Sequence, residues 1–306
     1  TAEMKIPFSQ LRFSDEKEQV WGLHIWRWID RLDEESQWKL IPIDAPAMVY
    51  IFGELHGISN IPPKHHFEIM PFTAFRYVEN TRQRDRFGLG VDGKAALSSN
   101  FTLDYTVLPD FGQVEADPSV LNLTAYEVFY DEKRPFFLEG NAILDYSAGN
   151  DMLFYSRRIG HAPGYFPPEK EGEAWSIPSG TTILNALKVT GKSKKGFSLG
   201  VVNSMTDKEF ATLKADGLTD KLAVEPFANY FIGRARQDLN GGNTVIGVMA
   251  TSVLRSIRDD HLRFMPGKAL VGGVDLLHNW VQRKYFIDIK SFYSNISGTR
   301  EAITRL

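Results

Sequence analysis

Hydrophobic and polar residues alternate along most of the chain after residue 88, with the period of two that is typical of half-buried β-strands. The clearest segment is Phe101-Thr-Leu-Asp-Tyr-Thr-Val, in which all seven positions alternate. Short polar or glycine-containing turns join such segments in pairs. The pattern predicts four hairpins, with strands at 89–97, 101–107, 183–190, 197–202, 230–236, 244–252, 270–277 and 285–292.

The first 80 residues contain shorter apolar or alternating segments, separated by acidic or proline-containing tracts. Helical periodicity is absent, so an all-β fold is predicted here too. We interpret residues 1–80 as part of a β-sandwich and residues 81–306 as a second unit. Strands are predicted at 4–8, 23–29, 38–41 and 48–53, with the polar tract 30–37 as a hairpin loop.

The predicted strands of the second unit have two chemically different faces. A soluble sandwich buries its apolar face, whereas a membrane barrel turns its apolar face to lipid and its polar face inward. Alternation alone leaves both open. Strands of eight to ten residues, and connections that are alternately short and long, favour the barrel. The polar face carries Asp92, Lys94, Asp104, Lys188, Arg234, Arg236, Asp275, Asp288 and Lys290. The apolar face carries Phe101, Leu103, Tyr105, Val107, Phe197, Leu199, Val201, Tyr285, Ile287 and Ile289.

Composition removes several classes of function. The net charge is −3 with a pI of about 6.2, and no basic stripe is interleaved with aromatic residues, so a nucleic-acid partner is not predicted. The absence of cysteine excludes disulfides, thiolate catalysis and cysteine–metal sites. No apolar run reaches the roughly 20 residues of a membrane-spanning helix. No motif indicates a cofactor or a metal site. The chain opens within strand-like sequence, and we expect a fragment of a longer protein.

A block at 109–160 follows neither strand nor helix periodicity, and it is rich in carboxylates, arginines and aromatic rings. Its segments Pro109-Asp-Phe-Gly-Gln-Val-Glu-Ala-Asp-Pro118, Glu132-Lys-Arg-Pro-Phe-Phe-Leu-Glu-Gly140 and Phe154-Tyr-Ser-Arg-Arg-Ile-Gly160 resemble an uncharacterised family of bacterial outer-membrane β-barrels. In that family the barrel follows a carbohydrate-binding family 9-like domain. Glu3-Met-Lys-Ile-Pro-Phe-Ser-Gln-Leu11 and Phe52-Gly-Glu-Leu-His-Gly57 resemble the last part of that domain.

The resemblance implies a location and an architecture. Residues 1–80 would be the C-terminal part of the sugar-binding-like sandwich, and 81–306 the N-terminal part of the barrel. Residues 109–180 would be a plug or loop insert. Outer-membrane lipid is the expected partner, with a glycan or other envelope proteins as further candidates.

Three tryptophans are candidate ligand-binding residues, because sugar rings pack their apolar faces on indole. They are Trp21, Trp26 and Trp28, the last two on one face of a predicted strand. The alternative is that they pack in the sandwich or at its contact with the barrel, as large aromatic residues often do.

The carboxylates of the central block admit three interpretations. Two of them could act as the acid and nucleophile of a polysaccharide hydrolase, or several could bind calcium. We favour mutual neutralisation with the neighbouring cations, which would fix the insert to a charged barrel wall. We call this set the charge latch: Asp110, Glu115, Asp117, Glu132, Arg134, Glu139, Arg157 and Arg158. No residue is assigned a catalytic role.

The sequence therefore favours an outer-membrane barrel protein that binds or passes a glycan or another envelope ligand. The alternatives are a hydrolase that uses carboxylates of the 110–139 block, and a structural barrel that partners other envelope proteins. If the first strand of the barrel is 89–97, the sandwich enters at the end of the strands that carries the long connections. Short turns of outer-membrane barrels are periplasmic, so this count would place the sandwich on the cell surface.

Overall fold

β-strands dominate the protein, as the alternating sequence predicts. The computed structural model describes residues 3–8, 11, 13, 16–42, 49–61, 67–76, 86–109, 129–149, 151–168, 175–215 and 218–305. Helices in this part of the chain are limited to α1 (Pro135–Leu138), α2 (Asn141–Leu144), α3 (Arg300–Thr304) and short 3-10 turns. The all-β prediction is confirmed. The strands are β1 (Glu18–Leu23), β2 (Trp26–Ile29), β3 (Glu34–Gln37), β4 (Gly53–Ser59), β5 (Phe67–Arg76), β6 (Arg86–Ala96), β7 (Phe101–Val107), β8 (Ser147–Ala148), β9 (Asp151–Met152), β10 (Trp175–Ser176), β11 (Ile183–Lys192), β12 (Phe197–Thr206), β13 (Glu209–Ala215), β14 (Leu218–Glu225), β15 (Phe227–Leu239), β16 (Thr244–Ser256), β17 (Lys268–Trp280) and β18 (Tyr285–Ser297).

A sheet of nine strands forms the main body, in the order β18-β17-β16-β15-β12-β11-β7-β6-β5. Every neighbouring pair is antiparallel. Eight of these strands are the eight predicted after residue 88, and their four hairpins are confirmed. Within the described residues, β18 and β5 are the two edges of the sheet.

The ninth strand, β5, precedes the predicted boundary at residue 80 and was not expected in this sheet. Phe67, its first residue, pairs with Ala95, close to the turn between β6 and β7. The chain therefore enters the sheet at the end that carries the short turns. The hypothesis that it enters at the end of the long connections is wrong, because one strand had been missed. Pro71 lies within β5, and an edge strand is where a sheet tolerates proline.

A second, three-stranded sheet combines a short strand of the insert with a hairpin that lies between β12 and β15. It has the order β10-β13-β14. Trp175 of β10 pairs with Leu213 of β13, so a segment from before β11 and a hairpin from after β12 meet at one end of the large sheet.

The N-terminal region contains two strand pairs, β1 with β4 and β2 with β3. The tract 30–37 is therefore half turn and half strand, since β3 lies within it. The strands predicted at 4–8 and 38–41 do not form. The segment predicted at 48–53 contains a 3-10 turn at Val49–Ile51, while residue 48 lies outside the described residues.

The largest apolar core of the described residues lies between the large sheet and the central block. Phe137, Leu144, Tyr146 and Ile159 pack there against strand residues that include Val202 and Met249. In the part of the chain that the structure describes, no helix is long and apolar enough to span a bilayer.

Candidate functional site: the insert on the polar face of the sheet

One face of the large sheet is polar and buried. Charged residues from four different strands line it, namely Asp104, Lys188, Arg234 and Asp275, and each is at least nine-tenths buried. Lys188 is 1% exposed, although its neighbour in sequence, Leu187, is 48% exposed. Burying a charge is costly unless the charge is paired. Because these side chains are buried, another part of the chain must cover this face.

The partner is the insert, of which residues 129–149, 151–168 and 175–180 are described. The Lys188 ammonium donates hydrogen bonds to the carbonyl oxygens of Phe136 and, at 2.8 Å, of Glu139. These carbonyls belong to the α1 turn, where a cation is favourable because the last carbonyls of a helix lack partners. A strand residue thus caps a helical turn of the insert.

A lysine–carboxylate cluster surrounds this contact and consists of Lys94, Asp104, Glu139 and Lys188. The Lys94 ammonium lies 2.5 Å from the Glu139 carboxylate and 3.7 Å from that of Asp104. The ammonium of Lys188 lies 3.4 Å from the other oxygen of Asp104. The cluster contains two cations and two carboxylates, and this balance of charge makes the burial of Lys188 and Asp104 tolerable.

A second contact joins the insert to the opposite part of the sheet. The hydroxyl oxygen of Tyr146 lies 2.8 Å from the carbonyl oxygen of Val274 and 2.9 Å from that of Ser291, and its single hydrogen is shared between these two acceptors. The Arg234 guanidinium lies 4.9 Å from the centre of the Tyr146 ring and pairs with Asp275 at 2.9 Å. Burial and the Asp275 charge raise the pKa of the Tyr146 hydroxyl, so it remains a donor.

Arg134 organises the insert internally. Its guanidinium donates to both carboxylate oxygens of Glu132, at 2.8 and 2.7 Å, and to the carbonyls of Ser156 and Ile159. The same guanidinium lies 4.2 Å from the centre of the Phe137 ring. Planar, bidentate recognition of this kind is specific to arginine. Arg134 thereby connects the segment before α1 with the 3-10 turn Ser156–Arg158.

The Glu132 carboxylate is held in its charged form. Burial alone would raise its pKa, but hydrogen bonds and charge from Arg134 and a hydrogen bond from the Ser156 hydroxyl outweigh burial and lower the pKa. A carboxylate whose pKa is lowered suits a permanent ion pair and is a poor proton donor near neutral pH. Glu132 is therefore ill suited to be the acid of a hydrolase.

The predicted charge latch is only partly within the described residues. Asp110, Glu115 and Asp117 lie outside them. Glu132 pairs with Arg134, Glu139 pairs with Lys94, and Arg157 donates to the carbonyl of Asp131 at 3.1 Å. Arg158 is exposed at the end of the same 3-10 turn as Arg157.

The three tryptophans do not form one surface patch. Trp26 and Trp28 are half exposed on β2, whereas the Trp21 ring packs against Phe8 and Phe13. Trp26 and Trp28 are therefore both accessible to a ligand. Trp21 packs against other aromatic side chains, as the alternative interpretation expects.

Several residues of the site gave no separate signal in the sequence. The charged residues of the polar face were assigned to that face, but their partners in the insert are distant in the chain. Tyr146 stands in no motif, and Ser156 lies within the segment 154–160, where nothing marks its hydroxyl as a partner of Glu132. Within the described residues, no three potential metal-ligating side chains come together.

Comparison with protein families gives one match, to a domain of unknown function, DUF5916, over residues 63–304. The chain belongs to the DUF5916 family. The matched range begins just before β5 and covers the large sheet, the insert and the three-stranded sheet of this DUF5916 protein. Neither the curated proteins nor the solved structures give a significant match.

Proposed function

We propose that this DUF5916 protein is an outer-membrane barrel protein whose large sheet faces lipid with its apolar side and whose insert fills the polar interior. The observation that supports the proposal most is the reversed burial of the sheet. Asp104, Lys188, Arg234 and Asp275 are buried, while apolar residues of the opposite face are exposed. A soluble sheet that covers one face has the opposite arrangement.

The exposed apolar face extends across the whole sheet. It presents Leu89, Leu187, Val248, Val274 and Ile289 from five different strands, and Val248, Val274 and Ile289 are 51%, 55% and 50% exposed. Soluble monomers rarely expose so continuous an apolar surface, whereas a bilayer requires one. The last four strands of the sheet have 13 residues each, more than the nine to eleven that a tilted strand needs to cross the hydrocarbon layer.

The insert fits the role of a plug. It satisfies the charges of the inner wall through the lysine–carboxylate cluster and through Tyr146, and its apolar side chains pack on inward-facing residues such as Val202 and Met249. The contacts are both ionic and apolar. We therefore propose a filled interior that admits or binds an envelope ligand under control of the insert.

Carbohydrate binding is a second candidate activity, carried by the N-terminal region. The observation that favours it is the pair of half-exposed indoles, Trp26 and Trp28, at alternate positions of β2. The His24 ring packs edge-on against Trp26 and stacks on Phe52, which stabilises the base of this strand.

Two valine-to-lysine substitutions test the membrane proposal. Val274 lies in the middle of β17, and Val281 lies in the turn that follows it, and the two are 55% and 61% exposed. In a soluble protein both lysines would be tolerated. In a bilayer, Val274→Lys is expected to destabilise the folded, vesicle-inserted protein by about 2–4 kcal/mol. Val281→Lys is expected to destabilise it by at most about 1 kcal/mol.

The measurement is reversible unfolding of the vesicle-inserted protein by urea, with tryptophan fluorescence as the signal. Equal tolerance of both lysines, together with a folded protein in buffer without detergent or lipid, would refute the proposal.

A further inference from the structure

The short turns of the large sheet form a rim with an unusual charge composition. They join β6 to β7, β11 to β12, β15 to β16 and β17 to β18, and antiparallel pairing brings them to one end of the sheet. We call the turns 97–100, 193–196, 240–243 and 281–284 the short-turn rim. Its sequence contains four cations, Lys194, Lys195, Arg283 and Lys284, and no carboxylate.

The opposite end of the sheet lacks this asymmetry. The connection between β16 and β17 contains Asp259 and Asp260 as well as Arg258 and Arg263, and Arg263 pairs with Asp260 at 2.8 Å. On the rim, the ammonium of Lys194 is 3.1 Å from Glu16 of the N-terminal region, an exposed pair that water screens as it does the Arg263–Asp260 pair. Lys195 and Lys284 are exposed to solvent.

Aromatic residues accompany these cations on the apolar face. Trp280 and Tyr285 are paired across the β17–β18 hairpin, and their rings stack with centres 6.1 Å apart. His278 stacks on Trp280 from the other side at 5.7 Å, and Phe197 lies on the same face at the start of β12. The Lys284 ammonium lies 5.7 Å from the centre of the Tyr285 ring. Tryptophan and tyrosine prefer the interface between hydrocarbon and headgroups, and lysine extends from there towards phosphate.

The turn at the tip of this hairpin has an unfavourable backbone. Val281, Gln282 and Arg283 have φ values of 51°, 55° and 66°, and the Lys284 amide donates to the Val281 carbonyl at 3.0 Å. Left-handed conformations are strained for non-glycine residues, most for a β-branched residue, and such strain tends to occur at functional sites. Here it projects Val281 outward, 61% exposed, beside two adjacent cations.

From the cations, the aromatic rings and the strained tip together, we infer that the short-turn rim binds anionic phospholipid headgroups. This inference rests on the proposed membrane position of the sheet and specifies which surface its short-turn end contacts. The basic side chains lie just beyond the aromatic residues, where lipid phosphates would lie. Since the chain enters the sheet at this end, the N-terminal region would lie on the same, phospholipid side.

The test compares two doubly substituted proteins of equal net charge. Lys195→Gln/Lys284→Gln removes two exposed cations from the rim, and Lys221→Gln/Arg263→Gln removes two beyond the opposite end. Each full chain is inserted into phosphatidylcholine vesicles that contain either brominated phosphatidylglycerol or brominated phosphatidylcholine. Quenching of tryptophan fluorescence then gives the preference for the anionic lipid.

The unsubstituted chain and the Lys221/Arg263 variant are expected to prefer phosphatidylglycerol. In the rim variant, the preference for phosphatidylglycerol should be about fivefold lower for each cation removed. This factor corresponds to about 1 kcal/mol for each basic residue at a membrane surface. Equal preference in both variants, or no preference in the unsubstituted chain, overturns the inference while leaving the membrane position intact. Absence of quenching by either brominated lipid, with all proteins removed from the vesicles by alkaline washing, refutes the proposed function itself.

Discussion

Arg134 and Glu132 show how a single pair of residues can fix an irregular segment. The described residues of the segment 131–160 form only single-turn helices and two-residue strands, so backbone hydrogen bonds alone cannot define their path. The guanidinium of Arg134 instead joins Glu132, Ser156, Ile159 and the Phe137 ring. With side-chain exposures of 11% and 6%, Arg134 and Glu132 form an ion pair that is largely shielded from water.

Glu132→Gln is expected to destabilise the insert by about 3 kcal/mol at neutral pH, because it leaves a buried guanidinium without its counter-charge. The measurement is hydrogen exchange of amides in residues 129–160. The matched control is Glu301→Gln, whose exposed i,i+4 pair with Arg305 contributes about 0.3–0.5 kcal/mol. Similar effects of the two substitutions would contradict this account of the insert.

The ion pair between Glu132 and Arg134 also predicts that the insert becomes less stable at acid pH. The pKa of Glu132 is lower in the folded protein than its ordinary value of 4.5, so its stabilising contribution is complete above that value. The contribution is lost as the pH falls through the lowered folded-state pKa. Protection of the insert's amides against hydrogen exchange should therefore decrease on acidification below about pH 4.5. Glu132→Gln should abolish this decrease. An acid transition that is unchanged in the variant would argue against it.

At the scale of elements, strand β11 is one of several strands that contact the insert, through Lys188. Lys188 and Lys192 lie on the same face of this strand, but Lys188 is buried in the lysine–carboxylate cluster, whereas Lys192 is exposed and pairs with Asp238. The same residue type on one strand thus occupies two different environments.

Lys188→Met should destabilise the protein by about 3–5 kcal/mol, since Asp104 then remains buried with only Lys94 nearby, at 3.7 Å. Lys192→Met should cost at most about 1 kcal/mol. Lys188→Met/Asp104→Leu, which removes both charges, should recover much of the loss. Unfolding by urea measures all three, and a double variant as unstable as Lys188→Met would show that charge pairing is not the reason for the loss.

The hairpin β2–β3 carries the carbohydrate-binding candidate. Trp26→Ala/Trp28→Ala is expected to abolish binding of oligosaccharides in calorimetric titration, because stacking on the exposed indoles would supply most of the affinity. Trp21→Ala serves as a comparison, since this ring packs against Phe8 and Phe13. Undiminished affinity in the Trp26/Trp28 variant would exclude the hairpin as the sugar site.

The elements that the sequence predicts best are those with uninterrupted alternation. β7 alternates strictly in sequence, and the burial of β15 and β17 alternates over their first eight residues, so the existence and faces of these strands follow from period two. β5 escapes prediction because Pro71 interrupts it, and only its edge position makes that proline acceptable. The insert itself is predicted, but its individual contacts with the sheet are not, because contacts such as Lys188 with Glu139 join residues that are far apart in sequence.

The choice between a buried and an exposed apolar face also could not be made from alternation. Both arrangements have the same period, and only the position of the insert distinguishes them. Because the insert covers Asp104, Lys188 and Arg234, the apolar residues face outward.

For the molecule as a whole, the arrangement gives each surface of the sheet a separate role. The apolar face is proposed for lipid, the polar face holds the insert, and the short-turn end, where the chain enters, is proposed for anionic headgroups. The three-stranded sheet joins the insert to the opposite end through the buried Glu225 carboxylate, which accepts a hydrogen bond from the Gly164 amide at 2.8 Å. These proposed roles require that the outward face of the sheet lies in lipid.

Site-directed nitroxide labelling along β16 tests that claim most directly, since the native sequence contains no cysteine. Single cysteines are placed at residues 245–250 of the vesicle-inserted protein, and collision rates with oxygen and with a water-soluble nickel complex are measured. The account predicts a period of two, with Ile246, Val248 and Ala250 accessible to oxygen and not to nickel, and Val245, Gly247 and Met249 inaccessible to both. Nickel accessibility at Ile246, Val248 and Ala250 equal to that of exposed turn residues would contradict it.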